Sequence, residues 1–446
     1  MNCLICTTSA LKYIVSQLPK ATIYDRRTMR ILVYCWKAYN QADIIAALRR
    51  RGHIVDTFEA ELGNFEKDDS FERIFVEKLS GNNMAVSVYD AVFSVNYFPI
   101  ISDLCGQFAG LKYICWTCDS PLSTMYHQSI FNEWNYIFIF DRFCYMTFKE
   151  LGANVYYLPL AAAVGRAESV IAEAEKEHGK CRDAKDYEGS YQNSGGRGKR
   201  EDCRYRYDVS FVGSMYRKNS YDEIKDKLPD YVRGYFDALM KLQMEIYGEN
   251  YIDGMLTADI IEELNRHFKI EKSERSFSDI SLIFSTTVLG FKIAQLERYK
   301  LLGELSKYFD VNVFTDDENA EFILAHNRGP VRYWDESPIV FAESKINLNF
   351  TIRNIRSGIP LRVWDILAAG GFCITNFQPE LVMYFKNGED LVWFEDETDL
   401  VKKVRYYLTH EDERKRIALS GQKKVRELHS YDERLKMMES AIDISE

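Results

Sequence analysis

The stretch that decides the fold is Ser344–Asn376, SKINLNFTIRNIRSGIPLRVWDILAAGGFCITN. Ile346 to Thr351 alternates apolar residues with Asn and Thr, the pattern of a half-buried strand. Ser357-Gly358-Ile359-Pro360 then turns the chain, with Ser357 placed as an N-cap and Pro360 in the first helical turn. Across Leu361 to Ala369 the apolar Leu361, Trp364, Ile366 and Leu367 sit among small residues. Gly370-Gly371 stops that helix, and Phe372 to Thr375 opens a second apolar strand. The unit is strand, loop, helix, strand, as in an α/β sheet. Arg353, Arg356 and Arg362 surround the helix start, where free backbone N–H groups and the helix dipole favour an anion, so a phosphate is the expected guest.

The same alternation extends in both directions. Upstream, strands are expected at Ile31–Cys35, His53–Phe58, Ala91–Asn96, Lys112–Thr117, Tyr136–Phe140 and Val155–Leu158, with helices between them. Continuous apolar strands alternating with helices indicate a parallel sheet covered on both faces. Residues 29–164 form this first, Rossmann-like domain, and residues 1–28 precede it as an extension. Between Gly165 and Arg206 the pattern collapses into charge and small polar residues, which reads as a flexible linker over 165–206. Its basic, glycine-rich run Tyr191–Arg200 follows no strand, so it is not read as a phosphate loop.

Asp208–Ser214 is a fresh strand running into a loop, and it begins a second Rossmann-like domain over 207–430. Residues 221–288 carry helical patterns at Tyr231–Tyr247 and Ala258–Phe268 without strand alternation, an all-helical insertion. A long helix from about Val288 to Phe309, a strand Val311–Thr315, a short strand Val331–Tyr333 and a final strand Leu391–Phe394 complete the sheet. The amphipathic segment Tyr431–Ile444, within 431–446, lies outside it.

The chain has 446 residues and a net charge of -10, which argues against broad nucleic-acid binding and confines any polyanion site to a local basic cluster. No stretch approaches the roughly twenty continuous apolar residues of a membrane span, and no basic leader with a long apolar core is visible, so a cytoplasmic location is expected. Ten cysteines in so long a chain are no disulfide framework. The CxxC spacings Cys3/Cys6 and Cys115/Cys118 suggest zinc or redox chemistry, but without a His-rich partner segment they read better as core residues.

DVSFVGSMY at 208–216, the block at 344–376, NGEDLVWFEDETDL at 387–400 and YICWTCDSPL at 113–122 together resemble the CgeB-like spore-maturation family of GT-B glycosyltransferases. More distantly, the pattern is similar to the large retaining GT-B family that uses nucleotide sugars. The resemblance implies two Rossmann-like domains facing across a cleft, the C-terminal one holding the nucleotide sugar, and a terminal helix returning to the first domain. In the broader family two glutamates eight positions apart frame the donor loop; the matching positions here are Ser357 and Asp365. Asp365 would keep the acid that accepts from the ribose hydroxyls, as an ionised carboxylate can take two hydroxyl donors. Ser357 replaces the carboxylate that helps fix the sugar.

By the same matching, the backbone of Gly358, Ile359, Pro360 and Leu361 approaches the donor, and Arg356 or Arg362 meets the diphosphate. Gly213, Ser214, Arg217 and Lys218 occupy the loop after the domain's first strand, where the family binds phosphate. These cations would stabilise the leaving diphosphate with no metal or other cofactor. In the first domain, Asp119 follows a strand as a candidate catalytic base, with His127 close behind. The competing readings are a turn-forming Asp before Ser-Pro and an ordinary histidine. Asp141 reads as a helix cap, and Trp36, Tyr39, Tyr97, Phe98 and Trp116 read as core by default.

The function implied is transfer of a sugar from a nucleotide diphosphate sugar, with a UDP-sugar as the expected donor, to a hydroxyl on a glycan or protein, with retention. Ser357 keeps open a fold-retaining binder of sugar nucleotides or glycans, and a sugar-nucleotide epimerase or hydrolase is the other enzymatic alternative.

Overall fold

Strand β1 (Arg30–Cys35) is buried over Ile31–Tyr34, and β3 (Ala91–Val95) and β5 (Asn135–Ile139) are buried throughout, which only a sheet covered on both faces can provide. With β2 (Ile54–Glu59), β4 (Lys112–Trp116) and β6 (Val155–Tyr157) they form a parallel sheet in the order β2-β1-β3-β4-β5-β6. The second parallel sheet contains β7 (Tyr207–Val212), β8 (Val311–Phe314), β9 (His326–Asn327), β10 (Ser344–Asn349), β11 (Cys373–Asn376) and β12 (Val392–Phe394), in the order β12-β11-β10-β7-β8-β9. The computed structural model describes residues 28–81, 86–182, 205–269, 273–317 and 324–444. Nearly all of the expected N-terminal extension, with Cys3 and Cys6, and the run Tyr191–Arg200 lie outside the described residues.

Three expectations change. The first part of the expected linker is helical, Val164–Arg182. Its apolar stripe of Val164, Ala167 and Ile171 joins the core, and it packs against the helices Ser337–Ala342 and Leu361–Ala368 of the second domain. Val331–Tyr333 is not a strand; the edge strand is β9, and Tyr333 is drawn instead into a hydrogen bond with Asp365. Ser357 does not cap the helix Leu361–Ala368, whose cap position is Pro360, because its hydroxyl is engaged by the other domain.

Residues 221–288 are helical at Asp230–Met244, Ile252–Met255, Ala258–His267 and Ile280–Ile283, around their own apolar cluster. The last of these runs through one wider turn, Phe284–Val288, into the helix Leu289–Ser306. That wider turn leaves Thr286 O to accept from Asn354 Nδ2 at 2.9 Å, tying the helix to the loop after β10. Ile280–Ser306 is the one described helix long and apolar enough to cross a membrane by composition. It is a core helix here, carrying Glu297 in a buried ion pair with Arg353 at 2.6 Å.

The helix Tyr431–Ile444 packs on the helix Gln41–Arg50 of the first domain through buried Leu435, Met438 and Ile442. Arg51 and Glu439 fix it with a two-pronged pair at 2.5 Å, and Arg50 meets Asp432 at 2.8 Å.

Candidate functional site

Helix Leu361–Ala368 starts just beyond β10, beside the end of β7, so side chains at its first turn face the loop Gly213–Tyr216. Arg362 and Asp365 are one turn apart and share a face. An ideal Cβ on Gly213 would lie 3.5 Å from Arg362 Nη1, ordinary contact distance, so the guanidinium sits directly against the loop. Among the described residues Arg362 makes no hydrogen bond and no close ion pair. Burial lowers its pKa, while Asp365 draws it up.

Asp365 is 7% exposed and accepts from Tyr333 Oη at 3.0 Å. Burial pushes its carboxyl up to about 7, against the pull of Arg362 and Arg166 and of the Tyr333 hydrogen bond. Arg166 lies 4.9 Å over the rings of Tyr333 and Trp334 and pairs with Asp43 at 3.0 Å. Tyr39, 68% exposed in the loop after β1, leans on Tyr333 with ring centroids 5.2 Å apart. The first domain therefore supports the residue that holds Asp365.

Arg298, from the long helix, is a second cation at the Gly213 loop. Its Nη1 donates to Ser214 O and its Nη2 to Phe350 O at 2.9 Å, while Nε has no partner. Burial lowers its pKa. Arg217 and Lys218 point outward, with Arg217 3.7 Å from Asp317.

Ser357, Gly358 and Arg356 lie elsewhere. Ser357 Oγ is 2.7 Å from Asp141 Oδ1 and 2.8 Å from Glu380 Oε1, and it accepts from Phe143 N at 3.0 Å. It thus helps Asp141 cap the first domain's helix Arg142–Glu150. Asp141 Oδ2 also accepts from Arg356 N at 2.8 Å and Ser120 Oγ at 3.0 Å. Burial pushes Glu380 up to about 7, opposed by hydrogen bonds from Tyr157, Arg142 N–H and Ser357 and assisted by the Asp141 charge. An ideal Cβ on Gly358 would meet the Phe140 ring at 2.9 Å and Asp141 Cα at 3.1 Å, so only glycine allows the two backbones to approach this closely. The Arg356 guanidinium pairs with Asp253 of the insertion and lies 4.3 Å over the Phe143 ring. Ile359 is buried, and Pro360 and Leu361 are half-buried at the helix start.

In the first domain, Asp119 is exposed at the end of β4, and Asn96 Nδ2 donates to it at 2.6 Å. His127 is not beside it: its ring is buried under the insertion and caps a short turn by accepting from Ser129 N at 3.2 Å. Burial lowers its pKa. Burial raises the thiols of Cys115 and Cys118 well above their usual range, which leaves both un-ionised.

Sequence reasoning placed Arg362, Asp365 and Gly213 but not Tyr333, Arg166, Arg298 or Glu380. Tyr333 sits in a segment whose pattern mimics a strand. Arg298 lies in a helix of mixed composition, where no spacing singles it out.

Residues 292–440 match a family model described as glycosyl transferase-like. No curated protein sequence matches the chain. Among solved structures, sucrose-phosphate synthase from Thermosynechococcus elongatus is similar over 94% of this chain and 99% of that chain, at 9% identity and a TM-score of 0.52. HepE of Anabaena in complex with UDP-glucose (93% and 99%, 9% identity, TM-score 0.47) and a glycosyltransferase from Rickettsia africae (94% and 98%, 11% identity, TM-score 0.46) are further matches. The chain has the GT-B fold, two Rossmann-like domains with parallel sheets. Its second domain carries a glycosyl transferase-like region that includes Arg298, Tyr333, Arg362 and Asp365.

Proposed function

We propose that the protein is a glycosyltransferase of the CgeB-like kind, moving a sugar from a nucleotide diphosphate sugar, a UDP-sugar in the first instance, to a hydroxyl of a glycan or protein. The observation that carries this reading is the unpaired Arg362 guanidinium beside Gly213, one helical turn from buried Asp365. In the reaction Asp365, once ionised, accepts from the two ribose hydroxyls. Arg362 faces the diphosphate and gains most as negative charge develops on the leaving group, which lowers the barrier rather than only tightening binding. Arg298 shapes the loop that receives the phosphates, and no metal is needed for charge balance. Were the transfer inverting, Asp119, oriented by Asn96, would be the base that takes the acceptor hydroxyl proton. Retention of configuration follows the broader family.

A second reading, a fold-retaining binder, is favoured by Ser357, whose hydroxyl is committed to Asp141 and Glu380 rather than to a ligand. Calorimetric titration with UDP-glucose and with UDP tests the nucleotide site that both share. Binding to the wild type that weakens about tenfold or more in Arg362→Ala supports the assignment. Equal binding by both proteins sinks it.

A further inference from the structure

Among the described residues Tyr333 is the sole hydrogen-bond donor to the Asp365 side chain, Oη to Oδ1 at 3.0 Å. The other carboxylate oxygen, Oδ2, takes no hydrogen bond from them and is not sealed from solvent. One oxygen is fixed and the other is open. Burial, and then the Asp365 charge, holds the Tyr333 hydroxyl well above the usual tyrosine range, so it remains a donor wherever the carboxyl titrates. A donor at this distance favours the ionised carboxylate, which accepts more strongly than the acid. The other groups facing Asp365 are Arg362 on its own helix, Arg166 from the helix Val164–Arg182, Asp43 from the helix Gln41–Arg50 and Tyr431 from the terminal helix. The two arginines favour the charged form and Asp43 opposes it. Burial keeps Tyr431 un-ionised.

Tyr333 is itself held in place. Ser337 Oγ donates to its carbonyl at 2.7 Å, and Arg166 lies 4.9 Å over its ring while Nη1 donates to Trp334 O at 3.0 Å. Asp43 anchors Arg166 at 3.0 Å, and Tyr39 leans on the Tyr333 ring. Asp43 and Tyr39 belong to the first domain, so the hydroxyl that meets Asp365 is steadied from across the domain boundary.

We propose that Tyr333 is a positioning residue for the nucleotide: its hydroxyl fixes Asp365 Oδ1 and leaves Oδ2 to the ribose hydroxyls. This role rests on the nucleotide-sugar reading above. The test is calorimetric titration of UDP-glucose, which has no group of its own titrating in this range, into wild type and Tyr333→Phe between about pH 5.5 and pH 8.5. Phenylalanine keeps the ring that meets Arg166 and Tyr39. A hydrogen bond to a charged group changes the protonation equilibrium about tenfold or more, so the rise of affinity with pH should move up by about one pH unit or more in the variant. The loss should be about fivefold or more at pH 7 and below and should shrink towards pH 8.5. A purely structural role would lower affinity equally at every pH. An unchanged midpoint overturns the proposal and leaves the nucleotide reading standing, whereas no binding by wild type at any pH overturns both. A second measurement needs no Tyr333 variant: with carbon-13 at tyrosine Cζ, one resonance of the wild type should titrate at about pH 7 and stop doing so in Asp365→Asn. The absence of such a resonance also overturns the proposal.

Discussion

Asp365→Asn probes the electrostatics of the site without any ligand. The carboxyl is held at about 7, against an ordinary 3.8, because burial outweighs Arg362, Arg166 and the Tyr333 hydrogen bond. Between those two values the folded protein binds more protons at this group than the unfolded chain does. Its contribution to stability is therefore greatest below 3.8, falls as pH rises through that window, and levels off above about 7. The gap from 3.8 to about 7 is worth on the order of 4 kcal/mol, of which about 3 kcal/mol falls above pH 5. Glu380, also raised to about 7, slopes in the same direction in both proteins and cancels in the comparison. Urea unfolding of wild type and Asp365→Asn at several values between about pH 5 and pH 8 measures the difference. The variant is expected to gain on the wild type by up to about 3 kcal/mol across that range. Parallel stability curves would refute the assignment of a buried, proton-binding carboxyl.

Three further outcomes follow from the same geometry. Ribose hydroxyls must donate to the ionised form of Asp365, so UDP-glucose affinity should rise about tenfold between about pH 6 and pH 8, measured by calorimetry, and this slope should vanish in Asp365→Asn. Arg353→Met strands buried Glu297, whose partner stood 2.6 Å away, and should cost about 3–5 kcal/mol in denaturant unfolding. Gly358→Ala places a methyl 2.9 Å from the Phe140 ring and 3.1 Å from Asp141 Cα, and should destabilise the domain contact by about 1–3 kcal/mol, seen as a lowered Tm.

Much of the fold was legible because strand burial writes itself as apolar runs. Ile346, Leu348 and Phe350 alternate with Asn, which marked β10 as a strand, but not a half-buried one: Asn347 and Asn349 are buried too, their side chains hydrogen-bonded to Ser210 and Phe341 O and to Thr351 and Thr375. Gly370, at φ +70, ends the following helix where its sequence says it should. Val164–Arg182 was not legible, since its narrow apolar stripe is diluted by charge and its burial comes from packing against the second domain. Within the site, Arg362 was singled out as a cation at a helix start and Asp365 only through position matching to the broader family; that they lie one helical turn apart follows from the helix Leu361–Ala368. The junction of Ser357 with Asp141 was not legible, because these residues are 216 positions apart and meet only when the domains dock. Tyr333 was hidden for a different reason: three residues of strand-like composition, Val331 to Tyr333, form a loop because the tyrosine hydroxyl finds a buried carboxylate.

The central claim is that the Gly213–Arg362–Asp365 cluster serves sugar transfer. Release of nucleotide from a panel of UDP-, GDP- and dTDP-sugars, followed with purified full chain in the presence and absence of glycan acceptors, tests it most directly. Nucleotide release from at least one donor that is accelerated by an acceptor and abolished in both Arg362→Ala and Asp365→Ala is the predicted result. No release from any donor, or release that persists in both variants, would contradict it.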